Sequence, residues 1–366
     1  MTKADPIETT LPKPVSKPLY RLNRTFEENA ASGPDFDGPF PAVPVTGVKE
    51  FFGFPVASRI GIAASLVLNR RWFETFSRLG FDILTYKTIR SQQKLAHPVP
   101  NWIFPDQATV EGGGPMALGP LPADPLSATA IGSIGMPSVA PEVWHDDIRA
   151  CADALRDGQV LIVSVVGTAA EGVTREAFID DFRTLAVEAV AAGAQVVEVN
   201  LSCPNVQKAE GELYLDLPFA AEILGCVRAA IGDVPLLVKI GAITDDAVMT
   251  ALLTRLDPLV DGVVMINAPS REIEDADGQP AFGPARRTAG MMGGAVFDIG
   301  LDCVTRAVAV AKTEGLRLKI LAVGGVTAPD RIKAYADAGA YAVLGASACA
   351  WDPYLAIRAK TAYPEL

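Results

Sequence analysis

Beyond residue 50 the chain alternates short runs of Val, Ile and Leu with longer stretches whose apolar residues recur every three or four positions. The short runs have the length and branched content of strands, and the longer ones have the spacing of amphipathic helices. Eight strands are expected: Ile60–Ser65, Asp82–Lys87, Val160–Val166, Gln195–Ser202, Pro235–Gly241, Gly262–Ala268, Lys319–Gly325 and Ala342–Ser347. Most are nearly continuous apolar runs, as expected of strands buried on both faces. The helices expected between and after them are Arg71–Leu79, Glu142–Arg156, Arg175–Ala192, Ala220–Ala230, Asp245–Leu256, Leu301–Glu314, Pro329–Ala338 and Pro353–Thr361.

Eight alternating units predict an α/β fold, a single (β/α)8 TIM barrel over residues 51–366. An open doubly wound sheet would carry GxGxxG after its first strand, and the run Gly61-Ile62-Ala63-Ala64-Ser65-Leu66-Val67-Leu68-Asn69 has no such pattern. Residues 1–50, rich in Pro, Thr, Asp and Gly and without sustained period, read as an extended N-terminal arm lying over the barrel. Two connections, 88–141 and 269–300, are longer than barrel loops usually are, and both follow strand ends where barrel sites are built.

Composition narrows the function. With 366 residues, 49% hydrophobic and 20% charged, the chain can bury a large core. No run of about 20 apolar residues could span a membrane, so a cytosolic protein is expected. The five cysteines, Cys151, Cys203, Cys226, Cys303 and Cys349, are widely spaced with no CxxC pair, which argues against disulfides, zinc and iron–sulfur ligation. A formal charge of −11 argues against nonspecific nucleic-acid binding, which needs a basic surface.

The sharpest chemical signal is Asn200-Leu201-Ser202-Cys203-Pro204-Asn205, leaving the fourth strand at its carboxyl end. Two amides flanking a thiol can read the alternating C=O and N–H edge of a pyrimidine-like ring, and a thiol of suitable pKa can take a carbon-bound proton. Read alone, the same hexapeptide could be a buried structural cysteine beside a turn. Gly324-Gly325 after strand seven and Gly345 after strand eight stand where barrels bind phosphate through backbone N–H groups. Aldolases and isomerases bind phosphorylated substrates in the same place, so these glycines do not single out a flavin.

Together these segments resemble the dihydroorotate dehydrogenase family, with features of dihydropyrimidine dehydrogenases, over about residues 50–355. The resemblance implies FMN as cofactor and oxidation of a C–C bond of a dihydropyrimidine, dihydroorotate to orotate, with Cys203 taking a proton and hydride passing to the flavin. It implies substrate contacts from Lys87, Asn200, Asn205, Asn267, Gly135 and Met136, and cofactor contacts from Ala64, Ser65, Lys87, Asn200, Lys239, Gly293, Gly324, Gly325, Gly345 and Ala346. Lys239 would face the flavin's N1/O2 edge, where negative charge collects on reduction. His97 and His145 carry no role in this reading. Expected partners are the small-molecule substrate, a second copy in a homodimer, and an electron acceptor that could be a separate subunit. Neither nucleic acid nor membrane is expected. The Cys at the base position and the lack of an apolar N-terminal helical pair separate the chain from the membrane-docking class.

The chain departs from the family pattern where Gly132 replaces an asparagine, Ala268 a Ser or Thr, and Met292 the serine of a GG-x-SG loop; a basic-Pro pair becomes Phe297-Asp298. These changes remove polar substrate contacts, so another cyclic amide or an enone-like metabolite stays open as substrate. A phosphate-binding barrel without flavin is the reading from another class.

Overall fold

The computed structural model describes residues 12–202 and 212–366. After a short helix, Phe26–Ser32 (α1), the hairpin Lys49–Phe51 (β1) and Phe54–Val56 (β2) leads into the barrel. Ile60–Ile62 (β3), Arg70–Arg78 (α2) and Ile83–Ile89 (β4) form the first unit and a half. The connection after β4 carries Trp102–Pro105 (β5), Met116–Gly119 (β6) and Thr129–Gly132 (β7) before Pro141–Asp153 (α3). Val160–Val165 (β8), Arg175–Ala192 (α4), Val196–Asn200 (β9), Leu217–Ile231 (α5), Leu236–Lys239 (β10), Asp246–Leu256 (α6) and Gly262–Met265 (β11) continue the alternation. The next connection carries Ser270–Glu274 (β12) and Thr288–Gly293 (β13). Val296–Thr313 (α7), Lys319–Val323 (β14), Pro329–Asp337 (α8), Ala342–Gly345 (β15) and Leu355–Ala362 (α9) complete the chain.

Eight parallel strands close in the order β10-β11-β14-β15-β3-β4-β8-β9, a (β/α)8 barrel made of the eight strands expected from the sequence. The observed strands are mostly shorter at their carboxyl ends, because those residues turn outward to line the barrel mouth. Every second strand along the barrel is offset by two residues, and the registers close on themselves with that step. The inward side chains therefore sort into layers of four drawn from alternate strands. The lowest two are Ile83, Val196, Gly262, Ala342 and then Gly61, Ile162, Leu237, Leu321. These layers are apolar, and the glycines in them are fixed by size: a Cβ on Gly61 would lie 2.5 Å from the Ile83 carbonyl oxygen. Above them come Thr85, Glu198, Val264, Leu344, then Ala63, Ser164, Lys239, Val323, and at the top Lys87, Asn200, Ile266 and Ala346. Polarity thus rises along the barrel axis.

The end where the strands begin is sealed. Phe51 and Val56 of the hairpin join the interior apolar cluster. Beside them Lys360 of α9 and Ser58 hold Asp82 at 2.6 Å and 2.5 Å, all three buried.

Two parts differ from what the sequence leads one to expect. The long connections are not irregular loops: β12, β13, β7, β5 and β6 pair into a second, five-stranded closed sheet over the barrel mouth. The arm is not wholly extended either. Its helix α1 opens with a reciprocal cap, Thr25 to the Glu28 N–H and Glu28 to the Thr25 N–H. The segment before it is tied to the C-terminal end by Val15 N–H to Trp351 O at 2.9 Å and Leu19 N–H to Ala350 O at 2.8 Å.

Candidate active site

The upper two barrel layers form the floor of a cavity of about 190 Å³ at the carboxyl ends of the strands. Gly132 and residues 290–293 of the upper sheet form one wall, with Ile134, Met136 and Trp102. Tyr20 and Phe26 from the arm close another side, their rings buried, with Tyr20 5.9 Å from Trp102 between ring centroids. Gly324, Gly325, Ala346 and Ser347 lie at the far end.

Lys239 reaches the floor from the last residue of β10. It is 6% exposed, and no hydrogen bond or ion pair engages its ammonium among the described residues. Beside it the two amides interlock. Asn200 Oδ1 accepts from the Ser202 N–H at 3.1 Å and faces Asn267 Nδ2 at 3.5 Å, while Asn200 Nδ2 points at the Met136 sulfur at 3.5 Å. Asn267 donates to the Ser202 carbonyl and accepts from the Ala268 N–H at 2.9 Å. Each amide orientation is thereby set before any ligand arrives, which lowers the entropic cost of recognising a ring edge. Ala64, Ser65 and the half-buried Lys87 complete the floor, with the Lys87 N–H on Val67 O at 2.9 Å.

At the far end Gly325 has φ 62°, and a Cβ there would fall 2.4 Å from the Phe297 nitrogen, so only glycine fits. Arg331, which the sequence pattern does not single out, ties this turn to the upper sheet. Its guanidinium donates to Gly325 O at 2.7 Å and Gly294 O at 3.1 Å and lies over the Phe297 ring at 4.5 Å. An Arg in the first turn of the helix after a Gly-Gly strand end is the signal that could have found it.

Two expected contact residues stand behind the wall instead. Gly345 faces Cys349, whose sulfur would be 2.5 Å from an added Cβ, and the cavity surface there belongs to Ala346 and Ser347. Gly135 is a turn residue at φ 87° packed under the His97 ring, and it presents Met136, itself at φ 51°, to the cavity. His97 Nδ1 lies 3.2 Å from the Ser133 carbonyl, and burial lowers its pKa below the usual value. Arg90, fully buried and likewise unmarked in the sequence, ties that loop to the one after β8 through Met136 O and Gly167 O, both at 3.2 Å.

The departures at Gly132 and Met292 are one feature. On adjacent strands of the upper sheet, the Met292 methyl occupies the space beside Gly132, 2.7 Å from where a Cβ would stand. A thioether fills the room that two polar side chains would need. Cys203, Pro204 and Asn205 lie outside the described residues; on either side of them Ser202 and Glu212 pair as an antiparallel bridge.

Comparison with known proteins gives a consistent result. A family model described as dihydroorotate dehydrogenase matches residues 122–360. A dihydroorotate dehydrogenase of Dictyostelium discoideum is 33% identical, aligned over 94% of this chain and 97% of its own length. The catalytic subunit of an NAD(+)-dependent dihydroorotate dehydrogenase B from Anoxybacillus flavithermus is 29% identical over 45% of this chain and 50% of that subunit. A crystal structure of the Eimeria tenella dihydroorotate dehydrogenase with ferulenol superposes with a TM-score of 0.68, covering 97% of this chain and 92% of that one at 19% identity, which supports the fold.

Proposed function

The chain belongs to the dihydroorotate dehydrogenase family, oxidoreductases acting on CH–CH bonds, and on that premise we propose that it oxidises dihydroorotate to orotate with FMN held in the barrel mouth. The observation that carries this reading is the cavity floor: a lysine ammonium unengaged among the described residues, beside two interlocked amides, with a glycine turn at the far end. These residues fit FMN. The N–H groups of the Gly324–Gly325 turn and of the Ala346–Ser347 segment suit its phosphate, and Lys239 suits the N1/O2 edge. Ala64, Ser65 and Gly293 offer small surfaces against which a planar ring can lie.

When bound, FMN supplies a two-electron acceptor for hydride. The chain's own residues do the rest. Asn200, Asn267 and Asn205 hold the substrate's amide edge, Lys87 its charge, and Met136 packs against the ring. Cys203 takes the proton that leaves the carbon next to the hydride donor, so that two neighbouring C–H bonds break, one hydrogen leaving as H⁺ and the other as H⁻, and a C=C bond forms. Tyr20, Phe26 and Trp102 exclude water from the cavity. Reoxidation requires a second acceptor, for which a partner subunit of this chain is one source, and a homodimer in the cytosol completes the proposal. No helix among the described residues is long and apolar enough to cross a membrane.

The test is direct. The purified protein should be yellow, and dihydroorotate added without oxygen should bleach it. A colourless protein that takes up no added FMN overturns the reading.

A further inference from the structure

One layer below the cavity floor, Glu198 lies wholly inside the barrel at 0% exposure, and neither of its carboxylate oxygens meets a hydrogen-bond partner among the described residues. A carboxylate in such a place is very costly unless a positive charge compensates it. The Thr85 hydroxyl in the same layer is also without a partner. Ser164, paired in register with Glu198, accepts from Thr88 at 3.0 Å. The cation closest in register is Lys239. Glu198 stands opposite Leu237, and Lys239 is two residues further along that strand, on the same inward face and in the next layer up. Such diagonal neighbours are within reach of long side chains. Lys239 in turn has no partner among the described residues. The two unpartnered charges of the barrel axis therefore stand one above the other. Lys87, the other inward cation, is a layer further away.

We propose that Glu198 is the internal counter-charge of Lys239, holding the lysine as an ammonium in the cavity floor and offsetting part of the positive field that a bound flavin meets from beneath. Glu198 touches neither cofactor nor substrate in this arrangement; it is a positioning residue. The inference rests on the reading of the cavity as an FMN site.

Two measurements test it. In the FMN-loaded protein, Glu198→Gln leaves the shape intact but removes the negative charge, so the reduced flavin is favoured. Equilibration with a redox dye should show the reduced-to-oxidised ratio at fixed potential rise at least tenfold, an upward shift of about 30 mV for a two-electron couple. A change under twofold, or a fall, overturns the proposal. The second measurement is thermal unfolding of four chains: natural, Glu198→Gln, Lys239→Gln and the double variant. If the residues compensate each other, Glu198→Gln lowers the unfolding temperature of the natural chain but raises that of Lys239→Gln, where the carboxylate is left alone. Failure of Glu198→Gln to fold while the double variant folds supports the pairing equally. An equal effect in both backgrounds shows an independent, neutral Glu198 and overturns the proposal. Should the chain take up no FMN, the functional reading fails, and the unfolding series on the flavin-free chain still decides the pairing.

Discussion

The two ends of the barrel handle buried charge in opposite ways. Where the strands begin, Asp82 is held by Lys360 and Ser58 at 2.6 Å and 2.5 Å, and two apolar layers with the hairpin residues Phe51 and Val56 fill the rest. Burial pushes the Asp82 carboxyl pKa up, while Lys360 and Ser58 pull it back down. At the other end Lys239 reaches the cavity floor without a partner among the described residues, and Glu198 lies bare beneath it. A buried polar group with all its bonds made supports the fold; one left open is available to a ligand. The difference teaches where this molecule keeps its stability and where it keeps its chemistry.

That division predicts which substitutions change rate and which change stability. The largest effect is expected at the open end. Cys203→Ala should slow single-turnover reduction of the flavin by dihydroorotate by about 10²–10⁴-fold while FMN binding survives. Equal rates in the two proteins would make Cys203 a structural thiol. At the closed end, Lys360→Met strands the Asp82 carboxylate and should cost about 3–5 kcal/mol in denaturant unfolding. Flavin reduction below the unfolding transition should stay unchanged; a large rate loss would break the comparison.

A smaller effect is expected on the cavity wall. Gly132→Asn alone must displace the Met292 methyl, so Gly132→Asn with Met292→Ser should tighten dihydroorotate more than either change alone. An extra buried hydrogen bond is worth about 1 kcal/mol, roughly fivefold in Kd. Titration by flavin bleaching measures it, and additive single effects would show that the two sites are not one feature.

The smallest effect concerns pH. Burial lowers the His97 pKa in the folded protein below its ordinary value of 6.5. The unfolded chain then takes up the proton first as pH falls, so the stability contributed by neutral His97 is present above pH 6.5 and is lost on acidification below it. Unfolding temperatures between about pH 7 and pH 5 should fall less steeply in His97→Gln than in the natural chain. Parallel curves would show that His97 carries none of the acid sensitivity.

The eight barrel strands could be read from the sequence because both faces are buried, which turns them into apolar runs such as Val160–Val165. Two strands of the upper sheet could not. Met116–Gly119 buries one residue of four and Ser270–Glu274 one of five, so neither apolar run nor alternation marks them. Helix α1 was legible in principle, since Thr25 and Glu28 stand three apart before it, but its seven residues are too few for a period to emerge. For the site, strand-end residues such as Lys239, Asn200 and Asn267 were legible because the fold fixes which end of a strand faces the mouth. What the sequence hid were relations between distant residues: Met292 filling the space at Gly132, Arg331 bridging two loops, and Glu198 beneath Lys239. Each depends on which strands become neighbours, which local pattern does not encode.

The arm that supplies Tyr20 and Phe26 to the cavity is anchored on Ala350 and Trp351, near the opposite terminus. During synthesis this wall of the site is made before any barrel strand but has nothing to dock against until all eight strands have emerged. The pocket is therefore finished only after the last barrel strand has been made, and a truncated product that kept every barrel strand but lost the chain from Ala350 onward would have an open, wet mouth.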